Sequence, residues 1–123
     1  MFLDPASNIP IFLQIVTLIE DSILSGVYLE ESQIASTTEL STTLRINPAT
    51  VLKGVTLLSD EGIIYKKRGI GMFVCTGAIE VIKNKRRDTF YESYVKTLVK
   101  EAKKLGLSGD ETLKQVRKGF ENE

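Results

Sequence analysis

Between residues 10 and 26 the apolar side chains Phe12, Val16, Ile19 and Ile23 recur every three or four positions, the spacing of one helical face. Pro10 suits the first turn of that helix, where its missing N–H costs nothing, and Gly26 stops it. The stretch VYLEESQ reads as a loop leading to Ile34, which fits a short strand. Ser36-Thr37-Thr38-Glu39 has the pattern of a capping box: the serine hydroxyl accepts from the amide three residues on, and the glutamate reaches back. It predicts a short helix to about Leu44. After the turn Arg45-Ile46-Asn47, Asn47 and Pro48 are a good N-cap and first residue for a helix to about Asp60, stopped at Gly62. On that helix Val51, Val55 and Leu58 share the expected core face. Ala49, Lys53 and Thr56 lie opposite, with Thr50 and Leu52 at the margins.

Past Gly62 the pattern changes. Ile63-Ile64-Tyr65 and Met72-Phe73-Val74 flank the cations Lys66, Lys67 and Arg68 and a Gly69-x-Gly71 pair. This predicts a hairpin with a buried base and a tip suited to a negative partner. Helical spacing returns from about Ile79 to Leu105. Tyr91, Val95, Leu98, Ala102 and Leu105 alternate intervals of four and three, the seam of a coiled coil, and Phe90, Tyr94 and Val99 widen the stripe. Gly106-Leu107 reads as a C-terminal cap, and Ser108-x-x-Glu111 as a second capping box that starts a last helix with Leu113, Val116 and Phe120. So broad a stripe on so small an appendage calls for a partner chain.

These elements make a mainly α chain with a small β-hairpin wing: a winged helix-turn-helix over residues 1–76, followed by a C-terminal helical region over 77–123. At 123 residues, 42% of them apolar and 26% charged, the chain has the composition of an ordinary soluble globular domain. Its most apolar run, IPIFLQIVTLI, is interrupted by Gln14 and Thr17, so no membrane span is expected. MFLDPASN has neither a basic region nor a cleavage pattern, so a signal peptide is not expected either. The single cysteine, Cys75, excludes an internal disulfide and fits a reducing cytoplasm.

Charge sharpens the picture. The net charge is zero, yet residues 1–44 carry six acids and no Lys or Arg, whereas residues 45–104 carry 13 bases against six acids. A basic middle on a neutral chain points to a local anion-facing surface. The chain has no histidine, so most zinc sites and most acid–base catalysis lack their usual residue. Cys75 has no histidine to activate it and reads as a small hydrophobe at a strand end. Gly69-x-Gly71 lacks the third glycine and following helix of a nucleotide-binding loop. The run KNKRR at 83–87 reads first as a solvated helix face, and second as a contact to DNA backbone or an acidic membrane. No metal, cofactor or catalytic constellation emerges.

A helix-turn-helix beside a cationic hairpin is more specific than any of these fragments. Its second helix can enter a major groove about 12 Å wide, while the wing follows the backbone or the minor groove. Residues 10–74 resemble the winged-helix DNA-binding domain of the GntR family of bacterial transcription regulators. The resemblance is carried by PIFLQI, Gly26, IASTTELS, INPATVLKGVTLLSDEGII and YKKRGIGMFV, in that order. The tail, including EAKKLGLSGDE, is similar to the YtrA-like subfamily, which lacks a large effector domain and dimerises through C-terminal helices.

The resemblance implies that Ser36 contacts phosphate and that Asn47, Ala49, Thr50 and Lys53 face DNA. It implies a wing tip of Arg68, Gly69 and Gly71 with Lys67 on the backbone. Thr38 stands where relatives commonly place an arginine on DNA, with Arg45 nearby, and Ile70 replaces a usually polar wing residue. Phe90, Tyr91, Tyr94, Val95, Leu98, Val99, Ala102 and Leu105 are the expected dimer contacts. The expected protein is a cytoplasmic, homodimeric, sequence-specific DNA-binding regulator, most simply a repressor on an inverted repeat, and not an enzyme. A winged-helix module that contacts only protein is the alternative. An effector, its operator and its target genes are not readable from the sequence.

Overall fold

The computed structural model describes residues 3–123, which form two compact units, Met1–Asn84 and Lys85–Glu123. The first contains α1 (Ile11–Leu24), β1 (Gln33–Ile34), α2 (Thr37–Leu44), α3 (Pro48–Asp60), β2 (Ile64–Lys67) and β3 (Gly71–Val74). The division falls inside α4 (Ala78–Phe90), which is followed by a π-helical segment (Tyr91–Val95), α5 (Lys96–Lys104) and α6 (Gly109–Asn122). Among the described residues no helix is long and apolar enough to cross a membrane.

In the first unit α1 buries Ile15, Val16, Ile19 and Ile23. Pro10 is the N-cap rather than the first helical residue, and its carbonyl accepts from the Leu13 and Gln14 amides. Gln14, an interruption in the apolar pattern, bonds the Asp4 amide and the Asp4 and Ile9 carbonyls, holding the preceding segment on the helix. Val51, Val55 and Leu58 of α3 are buried with the α1 residues, as their spacing predicts. Gly54 lies between them at a close approach: a Cβ there would stand 2.9 Å from the Phe12 carbonyl oxygen of α1.

The three strands pair antiparallel in the order β1-β3-β2, with Ile34 opposite Met72 and Ile64 opposite Val74. Ile34, Ile63, Ile64, Met72 and Val74 close the sheet side of the core. The first unit does not end with the wing. Ala78 and Ile82, from the first turns of α4, are fully buried in the same core. Glu30 anchors that helix start: its carboxylate accepts from the Gly77 and Ile79 amides at 3.0 and 3.1 Å, which lowers its pKa.

In the second unit the helical path from Lys85 to Lys104 is not α throughout, because Tyr91–Val95 takes i→i+5 bonding. The wider turn changes the stacking of positions four apart that a plain coiled-coil seam assumes. Gly106, at φ 71, ends α5, and the Leu107 amide donates to the Ala102 carbonyl. The second capping box is present: the Ser108 hydroxyl accepts from the Glu111 amide, and the Glu111 carboxylate accepts from the Ser108 amide. α6 buries none of its residues.

Candidate nucleic-acid interface

Three features of the first unit converge: the start of α2, the outer face of α3, and the wing. The predicted capping box opens α2, with the Ser36 hydroxyl accepting from the Glu39 amide and the Glu39 carboxylate from the Ser36 amide, both at 3.0 Å. The bond from the Ser36 amide lowers the Glu39 pKa, with the hydroxyl adding to it. Both the amide and the hydroxyl of Ser36 are thus turned to Glu39 within the cap. Thr38 is exposed in the first turn of the helix.

The turn between the helices carries strain that its sequence conceals. Arg45 sits in the left-handed region at φ 56, ψ 45, a conformation that glycine adopts at least cost. Two bonds hold it there: the Ile46 amide to the Ser41 carbonyl at 3.1 Å, and the Ser41 hydroxyl to the Ile46 carbonyl at 2.6 Å. Such strain in a non-glycine residue points to a use for the side chain, which is exposed. Asn47 then caps α3 by accepting from the Ala49 amide at 2.8 Å, with Pro48 as the first helical residue.

On α3, Ala49, Leu52, Lys53 and Thr56 are exposed and Thr50 is half-buried. Lys53 is exposed, and its ammonium lies 4.2 Å from the centre of the Phe12 ring, an internal cation–π contact. Leu52, 54% exposed, lines two neighbouring concavities together with Thr56. One is a groove of about 390 Å³ that also touches Thr38, Lys66 and Met72. The other lies toward Phe12 and Lys53. Leu52, Thr56 and Asp60 line both and therefore form the crest between them.

The hairpin pairs further out than its apolar residues predict, with Lys66 opposite Met72 and Lys67 opposite Gly71. Its tip is Arg68-Gly69-Ile70, closed by the Ile70 amide on the Lys67 carbonyl, with Gly69 at φ 77 as a type II turn demands at its third residue. Strand alternation divides the cations. Lys66 shares the face of Ile64 and lines the groove beside α2 and α3. Lys67 lies on the other face, its ammonium 4.4 Å from the Phe73 ring centre, and Phe73 stacks on Tyr65. Tyr65 donates its hydroxyl proton to Glu31.

β1 also reaches the tip. The Gln33 side-chain amide donates to the Ile70 carbonyl at 3.0 Å and fills the space a Cβ on Gly71 would need. The structure thus brings Ser36, Thr38, Lys66 and Gly71 to one groove, and places Ala49 in the neighbouring concavity. It engages Lys53 and Lys67 with rings of their own chain. Leu52, Lys66 and Gln33 were not among the candidate residues. The two-residue period of a strand held the signal for Lys66, hidden because Lys66-Lys67-Arg68 reads as one block. Among the described residues no cluster of acidic or cysteine side chains could hold a metal ion.

The second unit has a different surface. Phe90, Tyr91, Tyr94, Leu98, Val99 and Leu105 are each more than 40% exposed, and Phe120 is 83% exposed. Phe90 and Tyr94 contact each other, and Lys96 pairs with Glu92 at 2.8 Å. Val95 is half-buried, and Ala102 is buried within the chain itself.

No protein-family model matches the chain. It is 36% identical over 76 residues to the HTH-type transcriptional repressor YtrA of Bacillus subtilis, a match covering 62% of the chain and 58% of that relative's length. Among solved structures it is similar to a GntR-family transcriptional regulator from Bacteroides thetaiotaomicron. Identity there is 34%, the TM-score 0.73, and the match covers 92% of this chain and 98% of the other. It is also similar to the DNA-binding domain of AraR, solved in complex with operator ORX1. That match has 27% identity and a TM-score of 0.55, over 61% of this chain and 93% of the other.

Proposed function

The chain belongs to the GntR family of transcription regulators, and we propose that it is a sequence-specific DNA-binding regulator, acting as a homodimeric repressor on an inverted-repeat operator. The observation that carries this reading is the groove side of the first unit. There the capped start of α2, with its partial positive charge, and the exposed face of α3 lie beside a wing that presents Lys66 and carries Arg68 at its tip. A similar domain in AraR is bound to an operator, which supports the same use here. Ser36, Arg45, Lys66 and Arg68 take the phosphates. The Asn47–Thr50 segment faces base edges, and Gly69 and Gly71 let the wing backbone come close.

The helical tail serves as a YtrA-like dimerisation region. Its exposed aromatic and aliphatic stripe is of the kind that a second copy covers. We assign no catalytic role to the protein, and place it in the cytoplasm with its DNA.

Binding to random duplex DNA across a salt series tests the phosphate contacts, since each one adds about 0.9 to the slope of log affinity against log salt. A flat dependence refutes DNA binding and favours the protein-contact alternative. Thr38→Arg should add one contact per subunit, hence about 0.9 per subunit in slope, with similar gains on all sequences. An unchanged slope in a folded variant refutes the approach of α2 to the backbone.

A further inference from the structure

A helix that reads bases usually does so with amide or guanidinium forks, and α3 has neither along its exposed crest. Ala49, Leu52 and Thr56 succeed one another there at intervals of three and four, and each ends in a methyl group. The one cation of α3, Lys53, has its ammonium over the Phe12 ring. Leu52 stands 54% exposed between two concavities, outside the core cluster and with about half of its apolar surface left to water. The crest is flanked by the capped α2 start and by Lys66, so a polyanion seated on both would bring its own surface onto Leu52.

The major groove offers one apolar feature, the C5-methyl group of thymine. We propose that Leu52, with Ala49 and Thr56, reads thymine methyl groups in the operator half-site, making Leu52 a specificity-determining residue. The inference rests on the DNA-binding reading above and deepens it. Specificity at the centre of α3 then comes from apolar contact, while charge on α2 and the wing supplies affinity without sequence information. Adenine–thymine pairs are selected at the crest because a cytosine in the same place presents no methyl and an exocyclic amine that Leu52 leaves unpaired.

Deoxyuridine differs from thymidine only by the missing methyl. Duplexes selected from genomic fragments by the full-length protein are resynthesised with each thymine replaced in turn by deoxyuridine, and affinities are measured at fixed salt. One or two positions in each half-site should lose about four-fold in affinity per methyl removed. Leu52→Ala should bind the thymine duplex more weakly and no longer distinguish it from the deoxyuridine duplex at one of those positions, the coupling a double-mutant cycle isolates. Because Leu52 is exposed, the variant should fold, and circular dichroism confirms that before binding is measured.

Selective binding that is indifferent to every thymine replacement overturns the inference and leaves the regulator reading intact. A deoxyuridine penalty that persists unchanged in Leu52→Ala also overturns it, because another residue then reads the methyl. If no fragment is selected over random DNA, the regulator reading fails and the inference falls with it.

Discussion

The two units of this chain dispose of their apolar residues in opposite ways. The first closes a core on itself: Ile15, Val51, Leu58, Ile63, Val74, Ala78 and Ile82 are all fully buried. The second spends comparable side chains on its outside, with Tyr94 and Leu105 each 66% exposed and only Ala102 buried. Helices this few and short have too little interior to cover four aromatic rings and a row of aliphatics. The first unit therefore owes its stability to its own fold. The second leaves its stripe uncovered within the chain, and the proposed cover is a second copy.

Truncation separates the two most sharply. Ile15→Ala, at a position with no exposed surface, should lower unfolding free energy by about 2–5 kcal/mol whatever the protein concentration. Urea unfolding followed at two concentrations checks it, and a small loss would mean that the α1–α3 core is loosely packed. Leu98→Asp attacks the other unit by placing a charge in the stripe. The expected outcome is a monomer, seen by sedimentation at micromolar concentration. An unmutated protein that is already monomeric there would remove the proposed partner from the comparison.

The next effect lies within the first unit, where stability and function should part. Arg45→Gly relieves a left-handed residue and should stabilise the fold by up to about 1 kcal/mol, while removing a cation from the DNA side. Thermal unfolding and DNA affinity should therefore move in opposite directions. A loss of both would show that the arginine supports the turn itself.

The smallest effect is shared by both units. Hydrogen bonds to the charged form lower the pKa values of Glu30 and Glu39 in the first unit and Glu111 in the second. A lowered folded-state pKa means that the stabilisation is present above the ordinary carboxylate value. It is lost as pH falls through the folded value. Stability should thus decline on acidification, and Glu30→Gln should flatten part of that decline. An acid profile unchanged in Glu30→Gln would mean that the amides of Gly77 and Ile79 are held without its charge.

Much of the first unit was legible because its signals are local. The Ser36–Glu39 box, the Asn47-Pro48 start and the spacing of Val51, Val55 and Leu58 each involve residues within two helical turns, and each is found as the sequence predicts. What escaped was non-local. The contact of Lys53 with Phe12 joins residues 41 apart on two helices. The Gln33 support of the wing joins residues 37 apart, and the Glu30 anchor of α4 joins residues 47 and 49 apart, so no window along the chain contains either pair. The π-helical turn at Tyr91–Val95 has no residue signature of the kind a proline or glycine gives.

Gly54 has a consequence for the paths by which such a protein can change. A helix interior normally favours alanine over glycine by about 1 kcal/mol, so mutation toward alanine at residue 54 looks like an improvement on local grounds. Here the added methyl would press on the Phe12 carbonyl, a backbone atom that cannot swing aside, and α3 would have to retreat from α1. That retreat would carry Leu52 and Lys53 with it, altering the depth of one and the ring contact of the other in a single step. Descendants of this sequence are thus free to vary the crest of the helix residue by residue, but not the spacer beneath it, and new sequence preferences should arise on an unmoved platform.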